Sequence, residues 1–263
     1  MVLVGEDFAP GSDPLARLIA QALKSKDFET KPGKSLALYQ APGIAARRLL
    51  LVGAGSGDAR AVRQALAAIA PAFRTAGAKR AVVCFAGRVT APAVSAVVQG
   101  VAQARYVYTL TKPKAEASEL TRVVIGVPEP KAVAQAFETS QAVALGVELA
   151  REWGNRPANH ATPSMLADAA RALAKHPRIQ CKVMGPADVE RLGMGAFLAV
   201  ARGSAEPLRF IELRYNGAAR GQAPLVLVGK GITFDTGGIS IKPAPEMDEM
   251  KFDMCGAASV LGV

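Results

Sequence analysis

Ionisable side chains are concentrated in the last part of the sequence, between Leu225 and Val263. Lysine and aspartate recur there among glycine and apolar residues, at Lys230, Asp235, Lys242 and Asp253. Carboxylates are hard oxygen ligands for divalent cations, and sites of this kind perform metal-assisted hydrolysis. A lysine coordinates a cation only if the cation displaces its proton. The alternative interpretation is a set of surface ion pairs around a glycine-rich loop.

The local pattern predicts where these groups collect. Leu225 to Val228 is a short apolar run that predicts a buried strand. The glycines that follow it permit tight turns, at Gly229, Gly231, Gly237 and Gly238. Polar side chains are therefore expected at the carboxyl end of a strand, where burial is costly unless they pair with one another or with a metal.

Two stretches, GKGITFDTGGISIKP and MDEMKFDMCGAASVLGV, closely resemble the leucyl (cytosol) aminopeptidases, a family of two-metal exopeptidases. The resemblance implies that Lys230, Asp235 and Asp253 are metal ligands. It implies that Lys242 is a catalytic and substrate-binding residue that helps to stabilise the tetrahedral intermediate. Met250 is implied to line the pocket for the first side chain of the substrate.

The same resemblance implies the reaction and the cofactors. Two divalent cations, Mn²⁺ or Zn²⁺ with Mg²⁺ or Co²⁺ as alternatives, would lower the pKa of a water that attacks the first peptide bond. The products would be amino-terminal residues such as leucine, released from peptide substrates. The family forms hexamers, which implies a homohexamer, and some bacterial members bind DNA.

One motif of the family does not occur in the sequence. The family's NTDAEGR-like motif supplies an aspartate and a glutamate as further metal ligands, and an arginine near which a bicarbonate is held. The chain reaches Val263 without it. We therefore expect either a fragment of a longer enzyme or a truncated, inactive form, and for this chain alone at most weak binding at one cation site.

Composition bounds the class of protein. The 263 residues are 50% hydrophobic and 21% charged, which is typical of a globular protein of one large or two ordinary domains. The cysteines Cys84, Cys181 and Cys255 are far apart, which favours a reducing compartment. No signal peptide and no apolar run of about 20 residues occurs. The sequence thus predicts a cytoplasmic protein without a membrane span.

The charge balance leaves a second class of function open. The sequence has 32 basic and 22 acidic residues, a net charge of +10 that would attract nucleic acid. The nearest approach to a basic cluster is Lys24, Lys26, Lys31 and Lys34, and aromatic residues make up only 5%. A DNA-binding or interaction protein with the same fold therefore remains the alternative to an aminopeptidase.

Alternating strand and helix patterns precede the charged segment and predict an α/β fold. Predicted strands cover residues 35–39, 48–52, 80–85, 121–127, 179–184 and 208–215. Predicted helices cover residues 14–24, 59–70, 91–104, 131–153, 165–175 and 187–192. We expect two domains, an amino-terminal α/β sandwich over residues 1–152 and the start of a zinc-peptidase-like catalytic domain over residues 153–263, joined by the long helix.

Other motifs have simpler interpretations. The tract LLLVGAGSG, Leu49 to Gly57, has G-x-G-x-G spacing, which favours a strand-to-helix turn over a dinucleotide-binding loop. The two histidines, His160 and His176, are 16 positions apart and so do not form an HExxH zinc site, whose histidines are at i and i+4. Cys255 has no histidine nearby and does not predict a thiol nucleophile.

Overall fold

The structure is a computed structural model that describes residues 1–75, 77–219 and 221–263. The described chain divides into two compact units, Met1–Glu148 and Leu149–Val263. The division falls inside helix α4 (Pro130–Asn155), the longest helix in the described part of the chain. The predicted boundary after residue 152 lies in the same helix and stays a prediction.

The first unit is built on a five-stranded sheet. Its strands are β1 (Val2–Gly5), β2 (Ser35–Tyr39), β3 (Arg48–Gly55), β4 (Arg80–Ala86) and β5 (Arg122–Gly126). The strand order is β2-β3-β1-β4-β5, with β2 antiparallel to β3 and all other neighbours parallel. Parallel neighbours require crossover connections, which explains why helices alternate with the strands.

Helices cover both faces of this sheet. They are α1 (Pro14–Lys24), α2 (Ala59–Ala68) and α3 (Ala91–Arg105). Along β1, Val2 and Val4 pack in one apolar cluster with Ile19 of α1, whereas Leu3 packs in the other cluster with α2 and α3. Successive strand residues point to opposite faces, so a short strand contributes to both cores. The unit is the helix–sheet–helix sandwich that the alternating pattern predicts.

Side-chain caps fix where these helices begin. The carboxylate of Asp13 accepts a hydrogen bond from the N–H of Ala16 at 2.9 Å, and Asp58 accepts one from Ala61 at 2.8 Å. Each carboxylate satisfies a backbone donor that lacks a partner within the helix. Local sequence therefore determines the starts of α1 and α2.

The glycine tract from Leu49 to Gly57 forms the end of β3 and the turn into α2. Gly55 has a left-handed backbone, with φ of 54°. A Cβ atom on Gly53 would collide with main-chain atoms of Thr30 and Lys31. Backbone conformation and close packing account for these glycines, so no bound nucleotide is needed to explain them.

The second unit begins inside α4, at Leu149. Its helices are α5 (Pro163–Leu173), α6 (Pro186–Arg191), α7 (Gly195–Ala201) and α8 (Cys255–Gly262), and its strands are β6 (Ile179–Met184) and β7 (Phe210–Tyr215), which pair antiparallel. Short 3₁₀ helices cover Ala70–Arg74, Ala158–His160 and Met247–Met254. The core of the unit contains Trp153, Leu166, Met254 and Ala258.

One predicted element is wrong. Leu225 to Val228 was expected as a buried strand, but the structure has no strand there, and Leu225 and Val228 are 87% and 92% exposed. A strand is stable only when a neighbour takes up its backbone hydrogen bonds, and no described strand pairs with this segment. The central strand β1 was not predicted.

The remaining features concern the cysteines and the membrane. Cys84, Cys181 and Cys255 are free thiols, in agreement with their wide spacing. Among the helices of the described residues, none has both the length and the apolar character required to cross a membrane. The cytoplasmic location stays a prediction.

Candidate metal centre

A tight loop presents Asp235. Its carboxylate accepts a hydrogen bond from the N–H of Gly237 at 2.8 Å, and Gly237 has a left-handed φ of 96°. Beyond this turn the chain folds back, with a single bridge between Gly237 and Ile241, and the N–H of Lys242 donates to the carbonyl of Thr236 at 2.9 Å. This short return places Lys242 beside Asp235.

A 3₁₀ helix, Met247–Met254, presents Met250 and Asp253. It continues directly into α8, and Met254 at the junction is completely buried in the core of the second unit. The buried methionine anchors the junction, so the neighbouring Asp253 projects from a fixed part of the backbone.

The structure joins the four charged side chains in two ion pairs. Lys230 Nζ lies 2.8 Å from Asp253 Oδ1, and Lys242 Nζ lies 3.1 Å from Asp235 Oδ2. The side chain of Lys230 is 58% exposed, whereas those of the other three are 20–34% exposed. Residues that are far apart in the sequence therefore meet in one partly buried cluster.

The two pairs also influence each other. The pKa of Lys230 is raised, first by its hydrogen bond to Asp253 and further by the negative charges of Asp253 and Asp235. The pKa of Asp235 is lowered, first by the hydrogen bond from the Gly237 N–H, then by the hydrogen bond and charge of Lys242, and by the charge of Lys230. Both shifts favour the charged forms, so Lys230 is an ammonium group and Asp235 a carboxylate at neutral pH.

Met250 belongs to the same cluster. Its sulfur lies 2.9 Å from Lys242 Nζ, which can donate a weak hydrogen bond to it. The residue predicted to line the pocket for the first side chain of a substrate is thus in contact with the residue predicted to be catalytic. The structure brings together all five predicted site residues, and their roles stay predictions.

One oxygen of the cluster has no partner. Oδ2 of Asp253 is buried and accepts no hydrogen bond from any described residue. An unsatisfied carboxylate oxygen is costly to bury, so a cation within reach of it would be stabilising. The described residues contain no group of three His, Cys, Asp or Glu side chains suited to a metal. The candidate ligands are therefore limited to two carboxylates and one amine.

Sequence reasoning missed one backbone contribution. The N–H of Ala257, in the first turn of α8, donates to the carbonyl of Lys230 at 2.8 Å. The signal was the run of small residues after Asp253, whose first glycine permits close approach of another segment. Burial raises the pKa of the neighbouring Cys255 thiol, which agrees with the expectation that it is no nucleophile.

Comparison with known proteins decides the family. Residues 148–263 match the Cytosol aminopeptidase family, catalytic domain, and residues 7–115 match the Cytosol aminopeptidase family, N-terminal domain. The chain belongs to the cytosol aminopeptidase family. This match, together with the similar structures below, confirms the resemblance and the predicted α/β fold of two domains.

Relatives in the cytosol aminopeptidase family match the chain over its full length. A probable cytosol aminopeptidase of Verminephrobacter eiseniae is 64% identical, and one of Acidovorax sp. strain JS42 is 61% identical. The match covers 100% of this chain but 51% and 53% of those proteins. The chain therefore spans about half the length of these relatives.

Solved structures of similar fold include two enzymes. A mutant of tomato leucine aminopeptidase has a TM-score of 0.81 at 28% identity, and the bottromycin maturation enzyme BotP in complex with Mn has 0.74 at 32% identity. Each match covers 99% of this chain and 54% of the solved one.

Proposed function

We propose that this chain contributes part of the active centre of a metal-dependent aminopeptidase that releases amino-terminal residues, such as leucine, from peptides. One observation carries the proposal: Lys230, Asp235, Lys242 and Asp253 form a single cluster of alternating charge in a chain of the cytosol aminopeptidase family. An arbitrary surface would seldom place these four side chains together.

The residues present fit a divalent cation. Asp235 and Asp253 supply oxygen ligands, and the buried, unpartnered Oδ2 of Asp253 is an oxygen that a cation would satisfy. Lys230 would coordinate only after losing its proton, which is held more tightly because the pKa of Lys230 is raised. When bound, such a cation lowers the pKa of water and polarises a carbonyl group.

Lys242 has a different role in this proposal. Its Nζ is held between Asp235 Oδ2 and the sulfur of Met250, at 3.1 and 2.9 Å. A charged amine there would stabilise the negative charge that develops on the carbonyl oxygen of the substrate. Met250 would contact the first side chain of the peptide, so one residue pair would link charge stabilisation to substrate choice.

The identities of cofactors and partners are proposed from the family. Mn²⁺ is the first choice, since it is the ion named with the similar enzyme BotP, and Zn²⁺, Mg²⁺ and Co²⁺ are alternatives. A second ion, bicarbonate and assembly into a homohexamer are proposed for the complete enzyme. DNA binding remains an alternative function, and it predicts a steep loss of duplex affinity as salt increases.

Titration with Mn²⁺ tests the metal centre in this chain. We expect weak binding to one site and an affinity at least about tenfold lower in Asp253→Asn and in Asp235→Asn. Asp248→Asn is the matched control, because Asp248 is an exposed carboxylate of the same 3₁₀ helix. Equal Mn²⁺ affinities in all four proteins would overturn the proposed site.

Activity is tested in the complete gene product that contains this sequence. Hydrolysis of leucine amide should disappear after chelation and return on addition of Mn²⁺. Activity that is indifferent to the chelator, or that survives Asp235→Ala, would contradict metal-dependent catalysis. Salt-sensitive DNA binding without any hydrolysis would favour the alternative function.

A further inference from the structure

Two backbone segments of the second unit cross in direct contact. One is Gly229 to Gly231, and the other is Cys255 to Ala257 at the start of α8. The hydrogen bond from the Ala257 N–H to the Lys230 carbonyl, 2.8 Å long, joins them. This approach brings main-chain atoms of one segment against main-chain atoms of the other.

Glycine makes this contact possible. A Cβ atom on Gly229 would lie 2.5 Å from the carbonyl oxygen of Gly256 and 2.7 Å from the nitrogen of Ala257. A Cβ atom on Gly256 would lie 2.9 Å from the nitrogen of Lys230. These are backbone atoms, which cannot turn aside as a flexible side chain can, so an added methyl group must push the segments apart.

Backbone conformation does not explain these two glycines. Neither Gly229 nor Gly256 has a positive φ, in contrast to Gly237 in the same region. Alanine could adopt both conformations without strain if the facing segment were absent. Glycine is therefore required at these two positions because the two segments lie too close together to leave room for a Cβ atom.

The residues at the crossing are neighbours in the sequence of two proposed ligands. Lys230 is the residue between Gly229 and Gly231, and Asp253 lies two positions before Cys255. The completely buried Met254 fixes the second segment to the core. The contact between the two backbones therefore fixes where the Lys230 and Asp253 side chains leave the main chain, and from these positions Lys230 Nζ lies 2.8 Å from Asp253 Oδ1.

We propose that Gly229 and Gly256 are positioning residues that hold Lys230 and Asp253 at the separation needed to grip one divalent cation. The inference rests on the proposed function for the identity of the ligands. It adds that main-chain contact sets the geometry of the centre, so residues that touch neither cation nor substrate control metal affinity.

The two positions should differ in severity. For the new methyl group to reach ordinary contact distances, the facing segment must move by a few tenths of an ångström in Gly256→Ala. It must move by about an ångström in Gly229→Ala. We expect about a tenfold loss of Mn²⁺ affinity in Gly256→Ala and a larger loss in Gly229→Ala, since sites tolerate misplacement of only about 0.5 Å. Gly238→Ala is the control, because a Cβ there meets nothing within 4 Å and its φ is not positive.

The experiment measures Mn²⁺ affinity of the whole chain by calorimetry, with unfolding by denaturant in parallel. Gly238→Ala should bind as the unsubstituted chain does. In an Asp253→Asn background, Gly256→Ala should cause no further loss, because the positioned partner is already gone. Unchanged affinity in folded Gly256→Ala, or an equal loss in both backgrounds, would overturn the positioning role.

A metal-free measurement separates this inference from the proposed function. A crystal structure of metal-free Gly229→Ala should show the two segments pushed apart, with the Ala257 nitrogen more than about 3.5 Å from the Lys230 carbonyl oxygen. A hydrogen bond that remains at 2.8 Å would refute positioning even if Mn²⁺ binds. A broken hydrogen bond in a chain whose Mn²⁺ binding ignores Asp253→Asn and Asp235→Asn would leave positioning intact and remove the metal centre.

Discussion

Lys242 Nζ lies between two acceptors of different kinds, 3.1 Å from Asp235 Oδ2 and 2.9 Å from the sulfur of Met250. The carboxylate forms an ion pair with the amine, and the thioether offers an apolar surface next to it. A charged donor beside a flexible apolar side chain is suited to a ligand that has an oxygen next to a hydrophobic group.

This arrangement predicts a loss of turnover without a loss of metal. In the complete gene product, Lys242→Met should lower kcat about 10²- to 10³-fold, because a donor to the developing oxyanion is removed. Mn²⁺ affinity should change little, since Lys242 is not a proposed ligand. Lys251→Met, in the neighbouring 3₁₀ helix, is the control and should keep its kcat. Equal kcat values in the two variants would contradict the role of Lys242.

The buried methionine behind the cluster predicts a stability effect. Met254→Ala should lower the free energy of unfolding by about 2–5 kcal/mol, because the side chain is completely buried against Trp153 and Leu166. Met165→Ala should lower it by less than about 1 kcal/mol, since Met165 is 41% exposed. Denaturant unfolding of both variants gives the comparison. Similar losses would mean that the core is misassigned.

A stacked arginine offers a second test of the same core. The guanidinium of Arg156 lies 4.0 Å from the centre of the Trp153 ring, and the Arg156 side chain is 23% exposed. Arg156→Lys should destabilise the chain by about 0.5–1 kcal/mol, because lysine cannot stack its charge as a plane. Arg171→Lys, at an exposed pair with Asp168, should change stability by less than about 0.5 kcal/mol. A neutral Arg156→Lys would show that the stacking contributes nothing.

The cap of α2 predicts a pH dependence. The pKa of Asp58 is lowered, first by the hydrogen bond from the Ala61 N–H and then by one from Ser56. A lowered folded-state pKa means that the stabilisation is present above about pH 4 and is lost as the pH falls through that pKa. Asp58→Ala should lower the Tm by about 2–4 °C at pH 7, and by less as the pH approaches about 3.

Asparagine is the control at this position. Asparagine caps helices about as well as aspartate and does not titrate. Asp58→Asn should therefore keep most of the stability, and the stabilisation by this cap should be the same at pH 7 and at pH 3. Thermal unfolding across this pH range measures both variants. If the deficit of Asp58→Ala is constant with pH, the carboxylate is not the cap.

The exposed segment Leu225 to Val228 predicts a solubility effect. Its side chains are 47–92% exposed, which makes it an aggregation-prone apolar patch. Val226→Lys combined with Val228→Lys should raise severalfold the concentration at which this chain aggregates, as measured by light scattering. Val143→Lys with Val147→Lys, at positions 45% and 41% exposed, is the control. An equal gain in the control would assign the effect to net charge.

Sequence patterns predicted the elements whose signals are local. Helix α1 was predicted at its observed bounds because apolar residues recur at helical spacing from Pro14 to Lys24. Strand β2 likewise has the predicted bounds. The prediction of a strand at Leu225 to Val228 was wrong because strand formation depends on a neighbouring strand, which the local sequence pattern does not contain.

The candidate site was likewise predictable from the sequence only in part. The residue types and the family resemblance predicted which side chains belong to it, and the structure brings them together. The pairing itself was not predictable, because whether Lys230 faces Asp253 or Asp235 depends on how two distant segments cross. The unpartnered Oδ2 of Asp253 and the contact of Gly229 with Gly256 likewise exist only in three dimensions.

The ion pairs have a consequence for how a metal would enter. Each of the two carboxylates is already paired with a lysine ammonium group. The cluster therefore has little net negative charge to attract an approaching cation. Long-range attraction would then be weak, and an ion would have to displace the proton of the more exposed amine, Lys230, which would keep its nitrogen beside Asp253. Loading would be an exchange of a proton for a metal ion.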